Sequence, residues 1–464
     1  MKKYDVIVIG AGPGGYTLAV DLAKNNLKVG LIEKNFLGGT CVNYGCIPTK
    51  ALLSSAKKIN NLKHYADYGI DVNVQKIDYT KIQTNRAQLK EKLNGAINAT
   101  LIGAKVDLFT DEATVIDEHS LQLKSGETLE FDKLVLATGS RSRELDLPGF
   151  AAARQAEVLS TSSYFLYYNQ PQLFKSLTII GGGPISVEFA YLYATLGVEV
   201  TILQDMPTII PQFDVSGIKL VDEMLKDMGI KIVTGAKILE MTADFQLIYE
   251  HDGHKHQIKT EKYLETVGRI INDESFTNLN LARDQRNRLV LTPDLKTSLA
   301  HVYALGDVTA QIQLSNVAYI HSGIIARSIL GLKSRPINLS NVPYALYLSP
   351  EIASVGASEQ FLQKTKKPEE YQVVEIPAAQ LPRNHAEQRF SRGFFKLIVD
   401  PQTHLILGAH IGLDDASILI NELAVAMNNN LTIDDLAATA HTHPTLSEAI
   451  YYVTRNLSLQ FAQK

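Results

Sequence analysis

The chain has 464 residues, 45% of them apolar and 20% charged, with a formal net charge of −4. That length exceeds the ~250–300 residues that one hydrophobic core supports, so several domains are expected. The slight negative balance gives no reason to expect nucleic acid or an anionic membrane as a partner, and no apolar run approaches the ~20 residues needed to span a bilayer.

Met1-Lys2-Lys3 followed by Val6-Ile7-Val8-Ile9 has the outline of a signal peptide. Gly10-Ala11-Gly12 cuts the apolar run at once, so a strand entering a phosphate loop is the reading and a cytoplasmic location the default. Tyr4–Ile9 is a near-continuous β-branched run, as a buried parallel strand should be. Gly10, Gly12 and Gly15 then give G-x-G-x-x-G, with a helix expected over Thr17–Asn25 and a second strand over Lys28–Ile32 that ends in Glu33. A carboxylate placed there can accept both ribose hydroxyls of a dinucleotide. A glycine-rich turn without a ligand explains the glycines alone, whereas strand, loop, helix, strand and acid in register point to a dinucleotide site.

Both cysteines of the chain follow, in Gly38-Gly39-Thr40-Cys41-Val42-Asn43-Tyr44-Gly45-Cys46-Ile47-Pro48-Thr49-Lys50. They can be read as two small buried hydrophobes, as a zinc half-site for which no other Cys supplies the missing ligands, or as a redox pair. So close a pair in so Cys-poor a chain, just after a dinucleotide fingerprint, favours the redox pair. Gly38 and Gly39 permit close approach of the backbone to a flat cofactor. Pro48 suits the first turn of a helix Pro48–Lys58, whose N-terminal partial charge would help hold Cys46 as a thiolate. Lys50 taken alone is a solvated helix charge.

Leu52–Thr110 reads mainly as polar helix, with Leu89, Leu93, Ile97 and Leu101 as a core stripe. Short strands are expected from 107 to 136, with Ser125-Gly126-Glu127 as a hairpin turn. Lys133–Ala137 is another buried strand, capped by Thr138-Gly139-Ser140, and a boundary falls near Leu147-Pro148-Gly149-Phe150. A second unit then repeats the first: strand Leu177–Ile180, loop Gly181-Gly182-Gly183-Pro184-Ile185-Ser186, helix Val187–Leu196, strand Glu199–Leu203. Two dinucleotides are implied. Ser186 replaces the third glycine, where a side chain crowds helix–strand packing, and Gln204 stands where an acid is usual. An amide repels a 2′-phosphate less than a carboxylate does, yet no Arg or Lys lies between Gln204 and Gln212 to receive one. NAD is preferred, with NADP open.

The cysteine segment between two Rossmann units resembles the flavin-dependent pyridine-nucleotide disulfide oxidoreductases, and the resemblance runs across nearly the whole chain. Thr266-Val267-Gly268-Arg269 resembles the family's segment closing the nicotinamide domain, and Ala304-Leu305-Gly306-Asp307-Val308 its second flavin motif. Ser349-Pro350-Glu351-Ile352-Ala353-Ser354-Val355-Gly356 resembles the opening of its dimerisation domain. His441-Thr442-His443-Pro444-Thr445-Leu446-Ser447-Glu448 resembles its closing signature. The resemblance implies an α/β fold of two Rossmann-like dinucleotide-binding domains, for FAD and NAD(P), plus a C-terminal α+β dimerisation domain. Its expected parts are 1–148 (FAD, first part), 149–270 (NAD(P)), 271–340 (FAD, central part) and 341–464 (interface).

By the same resemblance, FAD would be held by Gly10, Gly12, Gly15, Glu33, Thr40, Lys50, Thr138, Gly139, Gly306 and Asp307, the last on the ribityl chain. The nicotinamide cofactor would meet Gly181, Gly183, Ser186, Glu188, Gln204 and Gly268, with Lys50 and Glu188 paired beside the flavin. A His followed five residues later by Glu is more often an exposed polar pair. In this family His443 would be the acid–base and Glu448 its orienting carboxylate, acting on the disulfide of the other subunit of a homodimer. A dithiol would attack Cys41, and Cys46, nearer the flavin, would pass electrons to FAD and thence to the nicotinamide.

His441 and His443 before Pro-Thr favour the dihydrolipoamide dehydrogenase branch. Leu314-Ser315-Asn316 departs from the Leu-Ala-His usual there. The rival is an NAD(P)H-dependent disulfide, metal-ion or quinone reductase; the fuller mercuric reductases add a C-terminal cysteine pair, and no Cys follows Cys46. A redox-sensing flavoprotein would need no acid–base, and a non-redox nucleotide module has little support. The expected partner is a small dithiol or disulfide, or a lipoyl-bearing protein, because the chain has no lipoyl-like segment of its own.

Overall fold

A computed structural model describes residues 1–167, 172–387 and 392–463. Its first sheet is built around strand β1 (Lys2–Ile9), which pairs in parallel with β2 (Val29–Ile32) on one side and β6 (Thr128–Leu136) on the other. Val6, Ile7 and Val8 lose all solvent contact there, which is why this strand is apolar without alternation. The sheet order is β3 (Asp107–Phe109), β2, β1, β6, β5 (Ser120–Leu123), β4 (Ala113–Val115). Strand Val302–Ala304 joins β6 in parallel from far along the chain, and so carries Gly306 and Asp307 to the sheet that holds the first glycine loop.

A second parallel sheet has the order Lys231–Thr234, Glu199–Gln204, Ser176–Ile180, Lys262–Glu265, Leu159–Thr161. The two Rossmann units are tied by an antiparallel pair, Ser140–Ser142 with Arg269–Ile271. The third sheet is antiparallel, Tyr344–Leu346, Glu351–Gly356, Ile406–Leu413, Phe394–Val399, Gln372–Pro377, with helices Ala416–Asn428 and Glu448–Phe461 sharing its core. This is the α/β class with an α+β C-terminal unit that the resemblance implies. No helix among the described residues is long and apolar enough to cross a membrane.

Two local expectations are corrected. The helix after the cysteines starts at Cys46 itself: α3 spans Cys46–Asn61, and Cys41 lies on a separate short helix, α2 (Gly39–Tyr44). Gly38, at φ 82°, turns the chain into α2, and Gly45 (φ −139°, ψ −117°) breaks it from α3. A side chain at Gly45 would come within 2.8 Å of the Thr40 carbonyl, so the break needs glycine. The polar stretch Leu52–Thr110 is not one helical region. A 3-10 turn ends at Gly69 in the left-handed conformation, and α4 (Tyr79–Gly103) begins only where the Asp78 carboxylate accepts from the Lys81 N–H at 2.9 Å. Of the expected stripe, Ile97 and Leu101 are buried and Leu89 and Leu93 half-buried.

One buried ionic cluster joins the second Rossmann unit to the antiparallel sheet. Lys396, 1% exposed, donates to Asp214 at 2.8 Å, Ser216 at 3.1 Å and Glu359 at 2.5 Å. Burial would lower the Lys396 pKa, but Asp214 and Glu359 hold it above the ordinary value. Burial would raise that of Asp214, but His410, Lys396 and two backbone N–H groups hold it below.

Candidate active site

The two glycine loops have matching geometry. Helix α1 (Pro13–Lys24) starts at Gly12 and helix Pro184–Thr195 at Gly183, each extended at the cap and each with Pro in the first turn. The acid and the amide do the same local work. Glu33 accepts from the Ala11 N–H at 2.8 Å, and Gln204 accepts from the Gly182 N–H at 3.0 Å. Glu33 also accepts from the Asn35 N–H at 2.8 Å, while the Gln204 amide donates to the Thr208 carbonyl at 3.2 Å. The crowding expected at Ser186 is relieved by a hydrogen bond: its hydroxyl lies 2.6 Å from that of Thr266.

A methyl group on Gly10 or Gly15 would run into backbone, of Ala137 and Gly10 respectively, so those two are glycine for the fold. One on Gly12 or on Gly183 would meet no atom within 4 Å. Nothing in the chain demands glycine there; a ligand lying on the helix N-terminus would. The loops therefore fit FAD and NAD(H) pyrophosphates.

Asp307 follows the Val302–Ala304 strand in a 3-10 turn and accepts from the Ser140 hydroxyl at 2.5 Å, which in turn accepts from Arg269 at 2.7 Å. Thr138 donates to the Asn272 carbonyl at 2.5 Å, and the Asn272 amide returns a bond to the Thr138 carbonyl at 2.9 Å. Gly139 and Gly268 carry φ of 68° and 104° on the strip between the two units. Thr40 sits in the first turn of α2, against the Tyr44 phenol.

Cys41 and Cys46 are free thiols, the first half-buried and the second exposed. The Cys46 thiol is brought down to about 6, first by the hydrogen bond from Cys41 and, against the effect of burial, by the Lys50 charge and Ser315. The Cys41 thiol is pushed up by the same bond and by burial. The pair thus favours a single thiolate, biased toward Cys46. Lys50, one turn on from Cys46 in α3, donates to both carboxylate oxygens of Glu188 at 2.8 Å. Glu188 also accepts from the Tyr347 N–H at 3.2 Å, and the Lys50 ammonium lies 4.4 Å from the Tyr347 ring centroid.

His443 accompanies Glu448 at 2.9 Å through Nδ1, leaving Nε2 free on a side chain 68% exposed. Glu448 is buried. Burial alone would raise its pKa, but His443, the Thr445 N–H and the Tyr452 hydroxyl hold it below the usual range. His441 turns the other way, to Glu422 at 2.9 Å. Among the described residues no hydrogen bond or ion pair joins His443 to the cysteine segment.

Three residues at the site escape sequence reasoning. Tyr347 gave no signal at all. His321, buried and pushed by burial to about 4, accepts from the Gly306 N–H at 3.2 Å and so holds the turn that presents Asp307. Ser315, whose oxygen lies 3.7 Å from the Cys46 sulfur, stood in plain view as the departure from Leu-Ala-His.

Comparison with known proteins agrees with this geometry. Residues 4–322 match the family model "Pyridine nucleotide-disulphide oxidoreductase" and residues 342–453 its "dimerisation domain". The chain is 39% identical to a dihydrolipoyl dehydrogenase of Mycoplasma pneumoniae, over 97% of each sequence, and 33% identical to one of Bacillus subtilis, over 96% of this chain and 94% of that one. Among solved structures it is similar to the HOCl-induced flavoprotein disulfide reductase RclA from Escherichia coli, with a TM-score of 0.85 and 28% identity over 97% of this chain and 99% of that one. The chain belongs to the pyridine nucleotide-disulphide oxidoreductases, which use FAD and NAD(H), and is an FAD-dependent dithiol–disulfide oxidoreductase.

Proposed function

We propose that the chain is a dihydrolipoamide dehydrogenase, which oxidises a dithiol at Cys41 and Cys46 and delivers the electrons to NAD. The geometry of the cysteine segment carries this reading: Cys41 lies on α2, Cys46 opens α3, and the Lys50 ammonium one turn on, with the helix N-terminus, favours Cys46 as the leaving thiolate. The name of the relatives 39% and 33% identical to the chain supports the lipoyl substrate. One substrate thiol loses its proton to His443, and its sulfur bonds to Cys41 as the Cys41–Cys46 bond breaks toward Cys46. The sulfur of the second substrate thiol then attacks the sulfur attached to Cys41 while its proton passes to the departing Cys41 sulfur, giving the cyclic substrate disulfide, a Cys41 thiol and a Cys46 thiolate, so two electrons reach the enzyme pair. Bound FAD supplies the two-electron link from that pair to the nicotinamide. Gly10, Gly12, Gly15, Glu33, Thr40, Thr138, Gly139, Gly306 and Asp307 would hold the flavin, and Gly181, Gly183, Ser186, Glu188, Gln204 and Gly268 the nicotinamide cofactor. NAD is preferred over NADP because the exposed Asp205 carboxylate follows Gln204 directly and no cation lies within eight residues of it to meet a 2′-phosphate.

The working form is a homodimer. The bonds around His443 come from its own neighbourhood and not from the cysteines, which supports an acid–base serving the disulfide of the other subunit. The same reading divides the chain at 148, 270 and 340 into the four parts expected above and places the protein in the cytoplasm. A steady-state assay with dihydrolipoamide, NAD and NADP tests it. His443→Ala should lower turnover about 10²–10⁴-fold with FAD content unchanged; equal turnover would remove His443 from the mechanism. A second reading, an NAD(P)H-dependent disulfide or metal-ion reductase, is favoured by Ser315 and by the likeness to RclA, which has also been solved as a Cu(II) complex. NAD(P)H oxidation driven by small disulfides or Cu(II), with slow dihydrolipoamide turnover, would establish it instead.

A further inference from the structure

Ser315 lies against the cysteine pair and has no part in the steps above. It is the first residue of the helix Ser315–Ile329, and its hydroxyl oxygen is 3.7 Å from the Cys46 sulfur. Its place is fixed from both sides. Asn316 next to it is turned away: its amide donates to the Pro343 carbonyl at 3.0 Å, and its side-chain oxygen accepts from the Val317 N–H at 2.9 Å. One turn on, Ala318 is buried beneath the first glycine loop, so close that a methyl group on Gly14 would lie 2.7 Å from its carbonyl. Tyr319 reaches the Tyr16 hydroxyl at 3.2 Å. The serine hydroxyl is thereby presented to Cys46 from a rigid element, with a free rotor to aim its hydrogen.

The groups facing Cys46 are few. Cys41 comes from α2 and Lys50 from α3, while Glu188, from the helix of the second unit, sets its charge against that of Lys50. Tyr319 and Tyr347 stand near as neutral phenols, burial raising the pKa of each. Ser315 joins the Cys41 thiol as an uncharged donor to Cys46, and alanine in a Leu-Ala-His segment has no hydrogen to give.

We infer that Ser315 is a positioning residue that donates its hydroxyl hydrogen to the Cys46 thiolate. The inference rests on Cys41 and Cys46 being the redox pair. When the disulfide is cleaved at Cys41, the bonding electrons pass to Cys46, and the serine hydrogen bond receives that charge without transferring its proton. A charge-assisted bond to the leaving sulfur favours the reduced pair and holds the thiolate in one position.

The test uses the FAD-loaded enzyme reduced by two electrons, following the long-wavelength thiolate–flavin absorbance against pH. In Ser315→Ala the midpoint should rise by about half a unit to one unit, which is a roughly three- to tenfold loss of thiolate below both midpoints. Ser315→Thr, which keeps the hydroxyl, should titrate as the wild type, and FAD content should be equal in all three. If Ser315→Ala loses FAD, Ser315→Gly replaces it as the variant without the hydroxyl. A midpoint unchanged in the variant without the hydroxyl, or raised equally in the threonine variant, overturns the assignment alone. A wild type with no such band at any pH overturns the redox reading and this inference with it.

Discussion

At the scale of single residues, the site works by placing charge. Cys46 at the first position of α3 faces the helix N-terminus and Lys50 together, and both favour its ionised form. Lys50→Met removes one of the groups that lower the Cys46 thiol and leaves the buried Glu188 without its cation. The Cys46 midpoint should therefore rise by about a unit, read from the same absorbance titration, and an unmoved midpoint would show that the helix and Cys41 suffice. Glu448 shows the same sign at the second centre. Its folded pKa lies below the unfolded one, so its contribution to stability is present at neutral pH and is lost as the pH falls through the folded value. The carboxylate beside His443 is thus held ionised at neutral pH.

At the scale of elements, the two glycine loops separate what the fold needs from what a ligand needs. Gly15 has the Gly10 carbonyl against it, whereas Gly12 faces open space at the start of α1. Gly15→Ala should therefore give a poorly folded protein. Gly12→Ala should keep the far-UV spectrum and the urea midpoint of the apoprotein but lose flavin, with FAD affinity down by at least tenfold, measured by flavin fluorescence on dilution. Equal FAD affinity in Gly12→Ala would argue against a pyrophosphate on that helix end. The loops were legible in the sequence because their chemistry is local: a strand, a tight turn and a helix within some thirty residues. The start of α3 was not. Pro48 suggested a first turn, but Gly45 sets the break, where any side chain would run into the Thr40 carbonyl, a constraint no spacing rule contains.

At the scale of the whole molecule, Lys396, Asp214 and Glu359 lock the second Rossmann unit to the antiparallel sheet. Lys396→Met strands two carboxylates, one of them fully buried, and should cost about 3–5 kcal/mol, seen as a lower urea midpoint. The sign of each group sets its pH range. The raised Lys396 pKa gives stability that is lost only as the pH climbs through its folded value, and the lowered Asp214 pKa gives stability lost as the pH falls. Dimerisation makes a second prediction. Co-expressed Cys46→Ser and His443→Ala subunits, each inactive alone, should regain about a quarter of wild-type turnover through mixed dimers with one intact site. No recovery would place His443 and the disulfide in the same subunit.

The sequence by itself determined the two dinucleotide units and favoured the redox pair, because each is written in residues adjacent along the chain, where spacing and residue type are enough; the closing His–Glu motif took its meaning from the family resemblance. Tertiary structure decided the rest. Only the pairing of Val302–Ala304 with β6 brings Asp307 to the first glycine loop, only the packing of the two Rossmann units sets Glu188 on Lys50, and only the return of a distant helix to the first unit sets Ser315 on Cys46. Those contacts join residues 138 and 269 positions apart. They depend on where whole sheets and helices come to rest, and that is set by burial of many apolar side chains rather than by any short pattern.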